Sequence, residues 1–329
     1  MNMKFSEYFE IWLNHNYYKS GVNVGKNGDF YTSVSVGSIF GLTLGKYFIN
    51  LVKNDQINQN CNIIEIGAND GSMMVDFIQG LYSFDKNILE SLKFHIIEPH
   101  ENLRKIQQLK FKQSFEDKIT IHHHLNLKEC SFENAFFMSN ELLDTFACEV
   151  IKDNKMLYVN DDDDLRFEKI DEQTLLLLNK FDIQNGEIPI NLENFIKEIY
   201  NSSKKCWFLT ADYGDMNNTQ KSTLRVYKNH QVYNFFELSN LKDFFGISDI
   251  TYDVNFKLVK KVFENNGFKM VKFDKQGAWL INAGIMDIVK EIEQNAGFRA
   301  YQNAISQVKH LIDPRVMGDR FKIIEFKKD

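Results

Sequence analysis

The sequence predicts an α/β fold on a doubly wound, seven-stranded, mostly parallel sheet, and three observations carry that reading. Short apolar runs rich in β-branched and aromatic residues alternate with longer segments of helical spacing. Seven such runs occur along the chain. The first of them leads into a glycine-bounded loop and then a helix, an arrangement that in an open α/β sheet marks the ligand-binding edge. With 329 residues, 43% hydrophobic and 26% charged, the chain is long enough for two domains, or for one large domain with insertions. A formal charge of −6 gives no general attraction for nucleic acid or for an anionic membrane, so neither is expected as a partner.

In chain order, residues 1–55 read as a helical N-terminal segment. Tyr8, Phe9, Trp12 and Leu13 are spaced for one apolar face, a glycine-rich stretch follows, and Val36–Lys53 forms a second helix. Residues 56–144 carry the first part of the core, with strands at Cys61–Ile66, Phe94–Glu98, Ile119–His122 and Ala135–Ser139 and helices at Ser72–Leu81 and Asn102–Leu109. Residues 145–200 read as an insertion, where Val150–Asp153 and Met156–Val159 flank Asn154 and Lys155 like the arms of a hairpin and Leu165–Ile170 follows. Residues 201–329 complete the core with strands Cys206–Asp212, Phe268–Phe273 and Phe321–Phe326 and a helix at Phe256–Asn265. They also hold an irregular insertion at 214–255 and a helical one at 284–318.

Several classes drop out. Apolar runs such as Leu175–Leu178 and Trp207–Leu209 are far shorter than the roughly 18 residues of a membrane span. Glu7 and Glu10 interrupt the N-terminal apolar positions, so a secretory signal is not expected and a cytoplasmic location is. Cys61, Cys130, Cys148 and Cys206 form no CxxC pair, which argues against zinc and against a disulfide framework. In an extended chain His122 and His124 share a face while His123 points away, and no acidic or thiol pattern completes a metal site, so no metal is expected. Asp161–Asp164 lacks the Gly and Glu of an EF-hand loop and reads as solvated.

The chemistry concentrates at Glu65-Ile66-Gly67-Ala68-Asn69-Asp70-Gly71-Ser72. A dinucleotide site wants G-x-G-x-x-G, but Asn69 and Ser72 hold its second and third glycine positions, and Asp70 would oppose a pyrophosphate. A cationic ligand without phosphate suits the loop better, because Glu65 and Asp70 then face an ammonium or sulfonium. S-adenosylmethionine is such a ligand. Gly67 and Gly71 would bring backbone close to it around Ala68 and Asn69. Glu98 ends the second strand, where a carboxylate accepts from both ribose hydroxyls, and Pro99 and His122 would border the adenine. The competing account is that the two glycines only shape a tight turn.

Gly28-Asp29-Phe30-Tyr31-Thr32-Ser33, Glu65-Ile66-Gly67 with Gly71, Ile97-Glu98 with Leu103-Arg104 and Gln107, Ser139-Asn140-Glu141-Leu142-Leu143-Asp144 and Asp212-Tyr213-Gly214 occur in this order. Thr223 to Tyr227 with His230, Asp249-Ile250-Thr251 through Asn255-Phe256, Gln276-Gly277, Met317-Gly318 and Phe321-Lys322 follow. Together they resemble the MidA-like family of S-adenosylmethionine-dependent methyltransferases over nearly the whole chain. The resemblance implies a class I methyltransferase (Rossmann-like) fold and S-adenosylmethionine as cofactor, with S-adenosylhomocysteine as product. The mitochondrial member of that family methylates a protein arginine during assembly of respiratory complex I. Gly28 and Asp29 would then cover the cofactor, with an ordinary loop as the competing account, and Phe30, Thr32, Asp212 and Tyr213 would lie on the substrate side, with a plain strand-end turn as the competing account for Asp212-Tyr213-Gly214. Two departures stand out. Val34-Ser35 replace the family's Pro-Glu, and Ala68-Asn69-Asp70 replace its Pro-Gly-Arg inside the glycine loop.

Methyl transfer is an in-line displacement on an already activated methyl, so alignment of the nucleophile and disposal of a proton are what remain for the protein. A guanidinium nucleophile needs carboxylates to hold it. Asn140, Glu141 and Asp144, just past the fourth strand, are the candidates; the competing account is that they cap a following helix. His230 is a candidate base or substrate contact, although a lone histidine is more often structural. The expected function is methylation of a protein side chain, with arginine preferred by resemblance. The alternatives are a cofactor-binding assembly or interaction protein without activity, and a methyltransferase of small molecules. Oligomeric state is not legible.

Overall fold

The computed structural model describes residues 2–17, 33–161, 163–216, 222–229 and 231–329. Gly28, Asp29, Phe30, Thr32 and His230 therefore lie outside the described residues. The chain forms two compact units. One comprises Met1–Phe30, Leu143–Lys197 and Tyr213–Asn266, and the other Tyr31–Leu142, Glu198–Asp212 and Gly267–Asp329.

The larger unit holds the mostly parallel α/β sheet that the sequence predicts, but among the described residues the sheet has eight strands rather than seven. Seven of them are β1 (Asn62–Ile66), β2 (Lys93–Ile97), β3 (Ile121–His124), β4 (Phe132–Asn140), β5 (Ser203–Asp215), β6 (Lys269–Lys275) and β7 (Phe321–Lys328), in the order β6-β7-β5-β4-β1-β2-β3. The eighth, Val254–Asn255, pairs in parallel with the Gly214–Asp215 end of β5, within the smaller unit. The pairs β1–β2, β1–β4, β2–β3 and β4–β5 are parallel, and β6–β7 is antiparallel. Central strands read as unbroken apolar runs because both faces are covered, with Ile63, Ile64, Phe136 and Phe137 all fully buried. Helices α1 (Ile39–Lys53), α2 (Ser72–Asp85) and α3 (Glu101–Phe115) pack on this sheet's unit. Where α1 and α2 meet, a Cβ on Gly45 would sit 2.4 Å from the Phe77 carbonyl oxygen and one on Gly80 2.6 Å from that of Leu42. Only glycine permits so close a crossing. It brings Phe48 edge-on to Phe77 and Phe136 at 5.8 and 5.2 Å.

Two expectations change here. Strand β3 covers Ile121–His124 rather than Ile119–His122, because α3 runs to Phe115 and then needs two left-handed residues, Glu116 and Asp117 at φ 51° and 64°, to turn the chain. The N-terminal segment is also not one piece. Phe5, Tyr8, Phe9 and Trp12 join the apolar core of the smaller unit, whereas α1 belongs to the larger one.

In the smaller unit, Met3–Lys4, Lys155–Val159, Cys148–Lys152 and Gly186–Pro189 form a sheet in that order, with Leu165–Lys169 also on Lys155–Val159. The hairpin pairs Ile151 with Met156 and Lys152 with Lys155. It turns at Asp153 and Asn154, both at positive φ, as a two-residue hairpin turn requires. The stretch expected to be irregular carries a second sheet, Gln231–Asn234, Arg225–Lys228 and Asp249–Thr251. Trp12 Nε1 donates to the Ser248 carbonyl at 2.7 Å, which satisfies the one polar atom of a fully buried ring.

Candidate functional site

The carboxyl edge of β1 and β2 is built from the glycine loop and two buried acids. Past Ile66 the backbone is left-handed at Gly67, Asn69 and Gly71 (φ 71°, 48° and 83°), and Gly71 is the cap on which α2 starts. The left-handed conformation favours glycine at Gly71, where a Cβ would also meet Phe111 Cε2 at a tight 3.2 Å. Glu65 is 2% exposed, and its Oε2 has no hydrogen-bond partner among the described residues. Burial, then the nearby charge of Asp70, holds its carboxyl well above the usual carboxylate range. Glu98 is likewise buried. Its Oε1 accepts from the His100 N–H at 3.0 Å and its Oε2 from Gln107 Nε2 at 3.5 Å. Burial raises its pKa, and these donors, with the Arg104 charge, oppose the rise. Arg104 Nη1 donates to the Glu98 and Pro99 carbonyls at 2.9 and 2.7 Å and ties down the end of β2.

Two residues of this edge are placed differently from expectation. Asp70 does not stand free to face a cation, because its Oδ2 pairs with Lys110 Nζ and accepts from Ser72 Oγ at 3.0 Å, while Oδ1 accepts from the Ser72 N–H at 3.0 Å. The acid that replaces the family's arginine thus brings its own cation. His122 lies inside β3, exposed and stacked on His95 at 5.1 Å, and the strand end where an adenine edge was expected belongs to His124, whose carbonyl accepts from the Glu98 N–H at 3.0 Å. Both ring nitrogens of His95 are taken up by neighbours, Nδ1 lying 3.0 Å from His124 Nε2 and Nε2 3.0 Å from Asn62 Oδ1. Among the described residues no group of His, Cys, Asp or Glu is placed to hold a metal.

At the end of β4, Asn140 Nδ2 donates to Glu141 Oε1 at 3.0 Å, and the Ser33 N–H reaches the same oxygen at 3.3 Å. Ser33 Oγ in turn donates to Gln276 Oε1 at 2.9 Å. Glu141 is left-handed at φ 49°, held there by its N–H on the Ala211 carbonyl at 2.8 Å. Asn140 Oδ1 is enclosed without a hydrogen-bond partner among the described residues. The capping account does not hold, since the chain passes to a 3₁₀ turn at Leu143–Thr145 and then to the strand Cys148–Lys152. Asp212 is fully buried in the same unit.

Asp144 and Tyr213 belong to the smaller unit, so the expected trio of Asn140, Glu141 and Asp144 is divided. Asp144 is buried, and its Oδ2 accepts from the Tyr213 hydroxyl and from Thr251 Oγ1 at 2.7 Å. Burial raises its carboxyl and the two hydroxyl donors oppose that. The Arg225 guanidinium lies 5.1 Å over the Tyr213 ring and pairs with Asp253 at 2.6 Å.

Sequence reasoning assigned no role to Gln107, His123, Ser33 or Gln276. For Gln107 a signal exists: on the polar α3, positions 104, 107 and 111 share one face, and Gln107 is 0% exposed.

A family model described as "Putative S-adenosyl-L-methionine-dependent methyltransferase" matches residues 43–273. The mitochondrial protein arginine methyltransferase NDUFAF7 of Rattus norvegicus is 22% identical over 93% of this chain and 76% of its own. The Xenopus tropicalis protein of the same name is 24% identical over 93% and 77%. Among solved structures, one from Burkholderia thailandensis bound to S-adenosyl-homocysteine superposes with a TM-score of 0.79 at 19% identity, over 99% of this chain and 88% of that one. A native structure from the same organism gives 0.76 at 18%, over 99% and 87%.

Proposed function

The chain belongs to the family of S-adenosyl-L-methionine-dependent methyltransferases that this model describes, and from that premise we propose that it methylates an arginine side chain of a protein substrate. The cofactor supplies a methyl already activated on a sulfonium. In this reading Glu98 holds the ribose hydroxyls, the Gly67–Gly71 backbone with Ala68 and Asn69 cradles the amino-acid end, and Glu65 stands opposite its ammonium. One observation carries the assignment: Glu65 Oε2 is enclosed at the tip of β1 with no hydrogen-bond partner among the described residues. An orphaned buried acceptor costs about 1–3 kcal/mol, and a cationic ligand removes that cost where an anion would add to it.

For the transfer itself, Asn140 and Glu141 would orient the guanidinium, whose proton must leave as the nitrogen becomes nucleophilic. Glu141 Oε1 is already fixed by Asn140 and Ser33, so the carboxylate is held before any substrate arrives. The substrate class is supported by the relatives, which are protein arginine methyltransferases by name. The test is incubation of the protein with isotope-labelled S-adenosylmethionine and lysate proteins, read by mass spectrometry. Label on arginine is the expected result. Label on another side chain or only on small molecules would overturn the substrate class, and tight cofactor binding with no transfer would favour an interaction protein.

A further inference from the structure

We propose that Gln107, oriented by His123, is the positioning residue that locks the glycine loop to the Glu98 carboxylate and thereby sets cofactor affinity from beneath the site. The proposal rests on the reading of this strand edge as the cofactor site. Gln107 is fully buried on α3, where it shares the inward face with the buried Phe111. Its Nε2 donates to the Asn69 carbonyl at 2.7 Å and lies 3.5 Å from Glu98 Oε2, and its Oε1 is 3.0 Å from His123 Nε2. One amide therefore touches the loop after β1, the acid after β2 and a side chain of β3.

The hydrogen-bond logic leaves a single arrangement. A carbonyl and a carboxylate only accept, so the amide nitrogen must face Asn69 and Glu98, and the amide oxygen must face His123. His123 Nε2 then carries a proton, as it does in one neutral tautomer and in the cation alike, so the link survives protonation of the ring. Burial, followed by the Arg104 charge, lowers the His123 pKa, which leaves the neutral tautomer in place near neutrality. The contact also holds a strained element, because Asn69 is left-handed at φ 48° and the accepted bond is to its own carbonyl. Gly71 lies against the same side chain, where a Cβ would stand 3.4 Å from Gln107 Cγ. Without Gln107 the loop and the acid would order separately, and ligand binding would have to supply that order.

The test is calorimetry with S-adenosylhomocysteine on the full chain, run beside thermal melts. Gln107→Met keeps length and removes the three polar contacts; its affinity should fall about tenfold or more. Gln107→Glu places a second carboxylate against Glu98, so it should bind weakly at pH 8 and recover affinity as the pH is lowered toward 5.5, relative to the parent over the same range. A packing role alone would not produce that pH profile. His123→Ala should lose affinity in the same direction by a smaller factor, and it carries the test if a Gln107 variant fails to fold. Parent-like affinity in Gln107→Met, a flat relative profile in Gln107→Glu, or parent-like affinity in His123→Ala would overturn the proposal. If the parent itself does not bind, the cofactor-site reading fails instead.

Discussion

Replacing Glu98 by Gln tests the ribose assignment with the smallest change of shape. A hydrogen bond to a charged group contributes about 1.5–3 kcal/mol, and the ribose would draw on two. Glutamine keeps one carbonyl acceptor, but its environment decides where that oxygen goes. One carboxylate oxygen of Glu98 faces the His100 N–H at 3.0 Å and the other faces the Gln107 amide nitrogen at 3.5 Å. If the new carbonyl stays on His100, the new amide nitrogen opposes that of Gln107, donor against donor, and the side chain is pushed off the Gln107 position. The expected loss is therefore about one charged hydrogen bond, or roughly 10- to 150-fold in affinity for S-adenosylhomocysteine by calorimetry. Glu98 is 3% exposed, so a melting curve must accompany the titration to separate lost affinity from lost fold. A Glu98→Gln protein that melts like the parent and binds within about twofold of it would refute the ribose role.

Glu141→Ala should leave S-adenosylhomocysteine affinity within about threefold while abolishing most methyl transfer; equal loss of both would place Glu141 on the cofactor instead. The ligand-free protein should become less stable as pH rises. Asp76 and Glu149 are pushed up to about 7, chiefly by burial, so the folded chain keeps protons that the unfolded chain releases above about pH 4. Stability is then fully present below the unfolded pKa values and falls through the window up to about 7, by at most about 1.4 kcal/mol per pH unit for each group. Asp76→Asn should flatten the slope of melting temperature between pH 5 and 7, and an unchanged slope would count against the shift. Glu325 is 0% exposed and accepts from Tyr47, Trp207 and Trp279. Glu325→Gln, with one carbonyl for three donors, should cost about 2 kcal/mol or more by chemical denaturation. Tyr213→Phe removes a donor from the buried Asp144 and should cost about 1–3 kcal/mol in the same measurement.

The strands were legible because a parallel strand buried on both faces leaves an unbroken apolar run between turn signals, as in Phe136 to Met138. The smaller unit was harder to read. Arg225–Lys228 and Asp249–Thr251 are four and three residues long, too short for a period to emerge, and they are joined by a pairing that no local pattern encodes. The destination of Phe5, Phe9 and Trp12 was hidden for a similar reason, since an apolar face announces burial but not the element that buries it. Some motif residues were visible without a reason. Gly277 and Gly318 gain one here, because a Cβ on either would stand 2.7 or 2.2 Å from the Ile312 carbonyl oxygen. Gln107 escaped because a polar residue on a polar helix looks solvated until its partners on two other elements are known.

In the proposed reading, charge makes this edge suit a sulfonium nucleoside better than a dinucleotide, and Asp70 is not the acid that decides it. Lys110 neutralises Asp70, so the exposed part of the loop carries little net charge. The deciding groups are Glu65 and Glu98, both buried and both with raised pKa values in which desolvation is the largest cause. A cation placed beside such an acid favours its charged form, whereas a phosphate favours the neutral one. The same two acids, costly to bury in charged form, would make the edge selective.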